Sequence, residues 1–504
     1  MRFTQCKITY VAFFFVALIS APAQTFMTIW NFDGTNGSGP ASLTQGIDGN
    51  YYGTTITGGS GTGCSLGVPG CGTAFRIGAN GDLTTIYDFC SQPNCADGYF
   101  IVAGLDLGFD GNFYGTSGNG GANCPGYGCG TIYRLMSGGH LSTIHSFCGQ
   151  PNCTDGNGPL GPLVQGSDGN FYGTTATGGA NSSACNDGCG TVFKITPNGS
   201  FTTLYSFCAQ SACSDGSYPE GGLVQANDGS LYGTTSMAGS TCQTFCYGTV
   251  FRITPAGKLT TLHRFSGGDG REPIANLIQG LDGNLYGTTY GGGGSQICNS
   301  AGCGTIFKIT LTGQFTKLYK FTRGDGAYPA APLVQGTDGN FYGTTFGGGN
   351  PVCTSGCGTV FEITPSGTLT TLHEFQGGDG ENPNSGLLQA TSGTFYGTTY
   401  EGGSSNNCSP EEAGCGTVFS LDIGLGPFIS FVRNPAKSGQ MFGILGQDLS
   451  GSTSVLLNGT PALFTVKSDT LIIATVPPGA TTGYVTVNTP SGTMTSNVPF
   501  VVIP

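Results

Sequence analysis

Cysteines are the residues of this chain whose type and spacing best suit chemistry. The sequence of 504 residues contains 21 cysteines, and all but Cys6 fall into ten close pairs. Seven pairs recur at a regular interval: Cys64 with Cys71, Cys124 with Cys129, Cys185 with Cys189, Cys242 with Cys246, Cys298 with Cys303, Cys353 with Cys357, and Cys408 with Cys415. Three more lie between them: Cys90 with Cys95, Cys148 with Cys153, and Cys208 with Cys213. Such pairs predict either disulfides or metal sites.

The spacing of the pairs favours disulfides over zinc. Structural zinc sites usually contain Cys-x2-Cys motifs and bring two such pairs together. None of the ten pairs has that spacing, and each recurring unit supplies its own partner cysteine. We therefore predict ten local disulfides, each closing a loop of about five residues and contributing roughly 2 kcal/mol in the chain-entropy model. Disulfides of this kind require an oxidising compartment.

Acidic residues offer a second kind of chemistry. An aspartate followed by glycine recurs seven times, at Asp33, Asp97, Asp155, Asp215, Asp269, Asp325 and Asp379. A set of carboxylates could bind calcium, but a calcium site takes six to eight oxygens from several ligands. A single Asp-Gly in a loop is more typical of a turn. We predict turn residues and no cofactor, with calcium as the alternative.

The histidines and the other residues that could act as nucleophile, acid or base do not form a recognisable active site in the sequence. His145, His263 and His373 occupy the position that Tyr205 holds in its own repeat, which indicates aromatic substitutes on an outer strand. No nucleophile with a base and no acid–base pair stands out from the repeats, so we expect a protein that is not an enzyme. Asymmetric charge is concentrated in the fifth and sixth repeats, where Arg271, Glu272 and Arg323 are candidate binding residues. The alternative for these three is solvated surface charge.

The elements that must position these residues are short strands in a repeating order. Tyr-Gly-Thr recurs seven times, beginning at Tyr52, Tyr114, Tyr172, Tyr232, Tyr286, Tyr342 and Tyr396, at intervals of 62, 58, 60, 54, 56 and 54 residues. In residues 159–207 two strands flank an Asp-Gly turn, a longer loop carries the cysteine pair, and two further strands flank Pro-Asn-Gly. Seven units of four antiparallel strands predict a seven-bladed β-propeller, with an open solenoid as the alternative.

The ends of the repeat region predict how the array closes. Residues 27–32 copy a fourth strand, whereas the seventh repeat stops after its third strand. Pairing of the N-terminal strand with the last unit would close the ring. The loops between strands two and three and the loops between repeats then share one side, which we call the loop face. The opposite side, the turn face, receives only tight turns, so we predict that function lies on the loop face.

The repeated unit resembles a known family. Leu-Val-Gln-Gly-x-Asp-Gly-Asn-Phe-Tyr-Gly-Thr-Thr, followed by Cys-Gly-Thr-Val-Phe-Lys-Ile-Thr-Pro, resembles the exported bacterial GloVer-type tandem repeats, which implies a propeller over residues 25–423. Departures occur at Ser117, Tyr247 and Ser392. Residues 427–504 resemble an IPT/TIG domain, which implies an immunoglobulin-like β-sandwich and an interaction module. The family carries no catalytic motif.

The N-terminal residues indicate the cellular location of the protein, and its net charge limits the partners that it can bind. Residues 1–23 contain Arg2, Lys7, an apolar run and a small-residue site after Ala23, which is typical of a cleaved signal peptide. We expect a secreted, cell-surface or periplasmic protein with no transmembrane segment. The net charge of -12 falls to -14 without these residues, because 14 basic residues then face 28 acidic ones. An acidic chain disfavours nucleic acid as a partner.

These observations favour a binding or interaction module outside the cell, with a glycan or an extracellular protein as its ligand. Fold alone supports such a function only by analogy. The alternatives are a polysaccharide-acting enzyme on a propeller scaffold and a structural surface or matrix protein. Turnover of polysaccharide, saturable binding and self-assembly would distinguish these three classes.

Overall fold

The repeat region and the C-terminal region are both built from β-strands in a computed structural model. The structure describes residues 24–503, except 65–68, 79, 125–128, 182–184, 186, 239–246, 295–296, 299–300, 406 and 409–413. Within those ranges the regular elements are strands and three short 3-10 turns, Pro93–Cys95, Pro151–Cys153 and Ser211–Cys213. The signal-peptide prediction for residues 1–23 and the pair Cys242 and Cys246 lie outside the described residues.

The repeat region begins with one strand that precedes the first repeat, β1 (Thr25–Asn31). The strands of repeats 1 to 3 are β2 (Ser38–Pro40), β3 (Thr44–Gln45), β4 (Tyr51–Thr57), β5 (Thr73–Ile77), β6 (Leu83–Asp88), β7 (Asp106–Leu107), β8 (Phe113–Ser117), β9 (Thr131–Leu135), β10 (Leu141–Ser146), β11 (Val164–Gln165), β12 (Phe171–Thr175), β13 (Thr191–Ile195) and β14 (Phe201–Ser206). Those of repeats 4 to 7 are β15 (Val224–Gln225), β16 (Leu231–Thr235), β17 (Thr249–Ile253), β18 (Leu259–Arg264), β19 (Ile278–Gln279), β20 (Leu285–Thr289), β21 (Thr305–Ile309), β22 (Phe315–Lys320), β23 (Val334–Gln335), β24 (Phe341–Thr345), β25 (Thr359–Ile363), β26 (Leu369–Glu374), β27 (Leu388–Gln389), β28 (Phe395–Thr399) and β29 (Thr417–Asp422).

Each repeat forms one antiparallel sheet, which confirms the prediction of four strands per unit. The sheet of repeat 3, for example, has the order β11-β12-β13-β14. Repeat 1 carries one additional short strand, β2, beside β4. Repeat 7 contributes three strands, and its fourth place is taken by β1, which pairs antiparallel with β29 from Thr25↔Asp422 to Asn31↔Thr417. The first and last parts of the repeat region therefore share one sheet.

Two side-chain contacts explain why the repeated motif forms these sheets. In repeats 1 to 6 the tyrosine of Tyr-Gly-Thr is buried and donates its hydroxyl to the aspartate of the preceding turn, as Tyr172 does to Asp168 at 2.9 Å. The last threonine of strand two meets the first threonine of strand three, with 2.8 Å between the hydroxyl oxygens of Thr175 and Thr191. Ser117 replaces threonine in repeat 2 and keeps this contact to Thr131 at 2.9 Å. The departure at Ser117 therefore preserves the sheet.

Neighbouring sheets are joined by hydrogen bonds and aromatic packing. In every repeat the first threonine after Tyr-Gly donates its hydroxyl to a backbone carbonyl of the following repeat, as Thr174 does to Gly221 at 2.8 Å. In repeat 7 the acceptor is in repeat 1, because Thr398 donates to the carbonyl of Ala41 at 3.1 Å. Hydrophobic clusters likewise combine residues of two adjacent repeats, for example Tyr172 with Leu223 and Phe251.

The C-terminal region forms a separate apolar core. Its strands are β30 (Ser430–Phe431), β31 (Ala436–Lys437), β32 (Met441–Leu445), β33 (Ser454–Leu457), β34 (Thr460–Pro461), β35 (Phe464–Ser468), β36 (Leu471–Thr475), β37 (Val485–Thr489), β38 (Gly492–Thr495) and β39 (Val502–Ile503). Two sheets of four strands, β30-β32-β36-β35 and β34-β33-β37-β38, share a core that includes Ile444, Ile472, Val455 and Val487. Alternating buried residues on facing strands are typical of a sandwich.

The C-terminal region contacts the turn face of the repeats. Thr470 donates its hydroxyl to the carbonyl of Ile47 at 2.9 Å, and the backbone N–H of Phe428 donates to the carbonyl of Thr391 at 3.0 Å. The guanidinium of Arg433 lies 5.2 Å from the ring centre of Phe109. These contacts leave the loop face to the repeats alone.

Candidate functional site

Disulfides cover the loop face of the described residues. Nine of the ten predicted pairs are bonded: Cys64–Cys71, Cys90–Cys95, Cys124–Cys129, Cys148–Cys153, Cys185–Cys189, Cys208–Cys213, Cys298–Cys303, Cys353–Cys357 and Cys408–Cys415. Each bond lies in the loop between strands two and three or in the loop after strand four. Both loops start or end at the same edge of their sheet, because consecutive strands are antiparallel. The loop face is therefore held by covalent links.

The aspartates of the loops between repeats act as hydrogen-bond acceptors. Asp215 accepts the hydroxyl of Tyr205 at 2.8 Å and the backbone N–H of Ala209 at 3.0 Å. In the repeats with histidine, Nε2 of His263 lies 2.9 Å from Asp269, and Nε2 of His373 lies 2.9 Å from Asp379. The histidines thus replace tyrosine as partners of the aspartate. These carboxylates stabilise their own loops.

The structure corrects the predicted set of seven aspartates. Asp33 does not occupy the same place as the other six. Asn36 does, because its side chain accepts the backbone N–H of Asp33 at 3.1 Å, as Asp269 accepts that of Ser266 at 2.8 Å. The dipeptide Asp33-Gly34 misassigns the position, whereas spacing gives it correctly, because Asn36 follows Phe32 at the same interval as Asp269 follows Phe265. Six carboxylates and one amide therefore recur.

A second repeated position on the loop face carries residues of several types in the seven repeats. It lies at the start of the chain segment that leads into strand one, and its backbone is in the left-handed region: Gly39, Phe100, Gly158, Tyr218, Glu272, Tyr328 and Asn382. The carbonyl of this residue accepts the N–H of the residue after strand two, as Glu272 accepts that of Tyr290 at 3.0 Å. The left-handed residue and the residue after strand two are thus two linked positions. In repeats 4 to 6 the residues at or next to them form what we call the Tyr–Glu cluster: Tyr218, Glu220, Ser236, Arg271, Glu272, Tyr290 and Tyr328.

Two carboxylates of the Tyr–Glu cluster are held by polar contacts. The hydroxyl of Ser236 donates to Oε1 of Glu220 at 2.7 Å. Nη2 of Arg271 lies 3.3 Å from Oε1 of Glu272, and the two side chains are 22% and 34% exposed. The side chain of Arg271 also packs against the backbone of Gly291. A Cβ added to Gly291 would lie 2.7 Å from Nε of Arg271. The guanidinium and the carboxylate of this pair are therefore fixed and still accessible to solvent.

Two tyrosines form the apolar part of the cluster. The rings of Tyr290 and Tyr328 stack with 5.1 Å between their centres and 25° between their planes. Both side chains are half-buried. Burial raises the pKa of the Tyr290 hydroxyl, and Tyr328 and Glu272 raise it further, so this hydroxyl stays protonated at neutral pH. The pair presents a ring surface with hydroxyl groups at its edge.

The environment of Glu220 raises the pKa of its carboxyl group. Burial raises the pKa of Glu220, the hydrogen bond from Ser236 lowers it, and the charge of Glu272 raises it again, so the balance is above the ordinary value. Burial of a carboxyl group beside a second acidic residue raises its pKa in this way. The cluster therefore combines hydrogen-bond acceptors with one carboxyl group whose pKa is raised.

Part of this cluster was predictable from the charged residues of the sequence, and the rest was missed. Arg271 and Glu272 lie together in it, whereas Arg323 lies on the following loop and donates to the carbonyl of Thr354 at 3.2 Å. Glu220, Tyr290 and Tyr328 were not among the candidates. Each lies at a repeated position whose side chain varies between repeats, as in Ala176, Tyr290 and Tyr400 after strand two, so a comparison of the repeats with one another would have pointed to these positions.

A cavity of about 550 Å³ opens elsewhere on the loop face, between repeats 7 and 1. Asp33, Thr35, Ser60 and Asn407 line it together with several glycines. It contains one carboxylate and no aromatic ring among its described lining residues. The lining surface of this cavity is mostly apolar, and it offers fewer distinct polar contacts than the Tyr–Glu cluster.

Comparison with family models identifies both regions of the chain. The model of the Gloeobacter/Verrucomicrobia repeat matches residues 16–245, 182–410 and 300–447, which overlap and together cover most of the sequence. The chain belongs to this family. The model of the IPT/TIG domain matches residues 427–502. Both resemblances noted in the sequence are thereby confirmed for this Gloeobacter/Verrucomicrobia repeat protein.

Comparisons with individual proteins give only distant similarity. A search of curated proteins finds no match for this repeat protein. A fungal AA5-family alcohol oxidase in complex with copper is 14% identical, with 95% of this chain and 99% of that chain covered and a TM-score of 0.49. The GH74 enzyme of Niastella koreensis is 14% identical, with 94% and 66% covered and a TM-score of 0.49. A PQQ-bound aldose sugar dehydrogenase of Streptomyces coelicolor is 12% identical, with 79% and 98% covered and a TM-score of 0.38. At these values the similarity assigns no activity to this chain.

The disulfides also bear on the compartment of the protein. Stable disulfides are rare in the cytosol, where thiols are kept reduced. The nine bonds therefore indicate a non-cytoplasmic protein. No helix among the described residues has the length and apolar character to span a membrane.

Proposed function

We propose that the seven sheets are the blades of a closed β-propeller whose residues 1–23 direct its export. The threonine hydroxyl that links each repeat to the next forms a complete cycle, since the bond from Thr398 to Ala41 joins repeat 7 to repeat 1. The pairing of β1 with β29 supports the same closure. In this arrangement the loop face surrounds one mouth of a central channel, and the Tyr–Glu cluster lies on one side of that mouth.

The function we propose for this protein is glycan binding outside the cell by the Tyr–Glu cluster. A sugar ring has C–H groups on its face and hydroxyl groups at its edge. Aromatic rings of tyrosine provide apolar contact area with a polar tip, and carboxylates are strong hydrogen-bond acceptors. The stacked Tyr290 and Tyr328 beside Glu272 are the observation that carries the proposal.

Binding to a panel of soluble polysaccharides, measured by calorimetry, tests this function. We expect saturable binding to at least one neutral or basic glycan, and a loss of at least tenfold in affinity for Tyr290→Ala and Tyr328→Ala. Phe100→Ala is the matched control, because Phe100 holds the position of Tyr328 in repeat 2, outside the cluster. Equal losses in all three variants, or binding to no glycan, would reject the proposal.

A second candidate function, hydrolysis of a polysaccharide, follows from the two glutamates. Glu220 has a raised pKa, as a general acid requires, and Glu272 is near enough to influence it. A pair of carboxyl groups is what most glycoside hydrolases use. Release of reducing ends from the same glycan panel, abolished in both Glu220→Gln and Glu272→Gln, would support an enzyme. Unchanged binding without any release would leave a binding module.

A further inference from the structure

Two cysteine pairs lie side by side in the third repeat. The four Sγ atoms of Cys185, Cys189, Cys208 and Cys213 all lie within 4.8 Å of one another. Across the two disulfides, Sγ of Cys185 is 3.6 Å from Sγ of Cys208. Repeat 2 repeats the arrangement, with the Sγ atoms of Cys124, Cys129 and Cys148 within 4.8 Å of one another and Cys153 bonded to Cys148.

The order of the strands brings these pairs together. Strand three starts and strand four ends at the same edge of the sheet, so the loop before β13 and the loop after β14 are neighbours. Cys208 precedes the turn Ser211–Cys213, Cys213 is the last residue of that turn, and both have left-handed backbones. Spacing along the chain predicts isolated pairs, and the structure corrects this for repeats 2 and 3.

If both disulfides were reduced, four thiols would lie close enough together to serve one thiolate metal site. Four sulfurs that bind one Zn²⁺ at bond lengths of about 2.3 Å form a tetrahedron with edges of roughly 3.8 Å. The 3.6 Å separation of Cys185 and Cys208 is close to such an edge. Cys189 and Cys213 are buried, while Cys185 and Cys208 are half-buried, which leaves a path for an ion from the solvent.

We propose that the four cysteines of repeat 3, and those of repeat 2, form Zn²⁺ sites in the chain whose thiols have not been oxidised. Newly made chains carry thiols, so no reductant is needed for this state. Binding of one Zn²⁺ by four thiols releases up to four protons. Formation of the two disulfides instead removes four electrons and four protons, which a disulfide-type oxidant accepts. Zinc-bound and disulfide-bonded repeats are thus alternative states of the same eight residues.

Zinc content of the full chain tests the proposal. The protein is refolded with ZnCl₂ under reductant and without oxygen, desalted, and measured by elemental analysis. We expect at least two Zn²⁺ per chain, one fewer for the double variant C208S/C213S, and no change for C353S/C357S. The second variant is the matched control, because repeat 6 has only one cysteine pair.

Cobalt gives a second measurement that does not depend on how well a variant folds. Co²⁺ added to the reduced full chain should give the intense visible bands of tetrahedral thiolate coordination, and these bands should disappear when Zn²⁺ is added. Absence of these bands, or equal zinc loss in the two double variants, would overturn the proposal. The Cys213→His variant, which keeps a zinc ligand, should retain the metal and show a shifted cobalt spectrum.

Discussion

At the scale of single residues, the aspartate in the loop between repeats links charge to stability. Burial raises the pKa of Asp379, but hydrogen bonds from His373 and from the backbone N–H of Gln376 outweigh it and hold the pKa below its ordinary value. A carboxyl group whose pKa is lowered by folding stabilises the protein above its unfolded pKa. That stabilisation is lost as the pH falls through the lower folded value.

Asp379→Asn should therefore reduce stability at pH 7 by about 1–2 kcal/mol, since hydrogen bonds to a charged acceptor are stronger than those to an amide. Urea denaturation between pH 2 and 7 measures the difference. It should be constant above about pH 4 and shrink in more acidic solution, where wild-type Asp379 is protonated in both states. Asp448→Asn, an exposed aspartate of the C-terminal region, is the control. A loss that does not depend on pH would contradict this account.

Glu220 should have the opposite effect on stability. Burial and the charge of Glu272 raise its pKa above the ordinary 4.5, so ionisation of Glu220 opposes folding as the pH rises. Glu220→Gln keeps an acceptor for Ser236 and removes the charge. We expect a higher melting temperature than wild type at pH 7 to 8 and no difference below about pH 4. Exposed Glu374→Gln should leave the melting temperature unchanged. Destabilisation of the Glu220 variant at pH 8 would be inconsistent with a buried charge.

At the scale of elements, the hydroxyl pair between strands two and three stabilises each sheet. Thr289 is buried, donates to the carbonyl of Gly291 at 2.9 Å and accepts the backbone N–H of Thr305 at 3.1 Å. Thr289→Val keeps the shape and leaves that N–H without its acceptor, which should cost about 1–3 kcal/mol in the free energy of unfolding. Thr289→Ser, which introduces the residue type that Ser117 provides in repeat 2, should cost less than half as much. Equal costs would mean that the methyl group, and not the hydroxyl, matters.

The strands were predictable from sequence because their causes are local. Alternating apolar residues and the paired cysteines recur in every repeat, and the Asp-Gly turn recurs in all but the seventh, where Ser392 replaces the aspartate, so copies of one pattern specify the sheet. The Tyr–Glu cluster has a different origin, since Glu220, Glu272 and Tyr328 come from three successive repeats and meet only through the packing of their sheets. The first loop shows a different limit, because the dipeptide Asp33-Gly34 imitates the repeated Asp-Gly, whereas the aspartate position belongs to Asn36.

At the scale of the whole molecule, the proposed ring depends on a strand that is far from its partners in sequence. Phe26 of β1 stacks on His373 with 3.6 Å between the ring centres and packs against Phe419 at 5.3 Å. Phe201 of β14 makes the same contacts within the array, with His145 at 4.1 Å and Phe193 at 5.4 Å. A phenylalanine with equivalent contacts thus occurs both in β1, which would close the ring, and in β14, in the interior of the array.

This matched pair tests the closure of the ring. Loss of a packed phenylalanine ring costs about 3 kcal/mol. If β1 is a permanent strand of the last blade, Phe26→Ala and Phe201→Ala should lower the free energy of unfolding by similar amounts, as measured in guanidinium chloride. In an open array β1 would fray like other chain termini, and Phe26→Ala would be nearly neutral while Phe201→Ala remained costly. Hydrogen exchange of the β1 amides should distinguish the same two cases. Exchange should be slow in a closed ring, because the hydrogen bonds to β29 open only when the last blade unfolds, and fast in an open array.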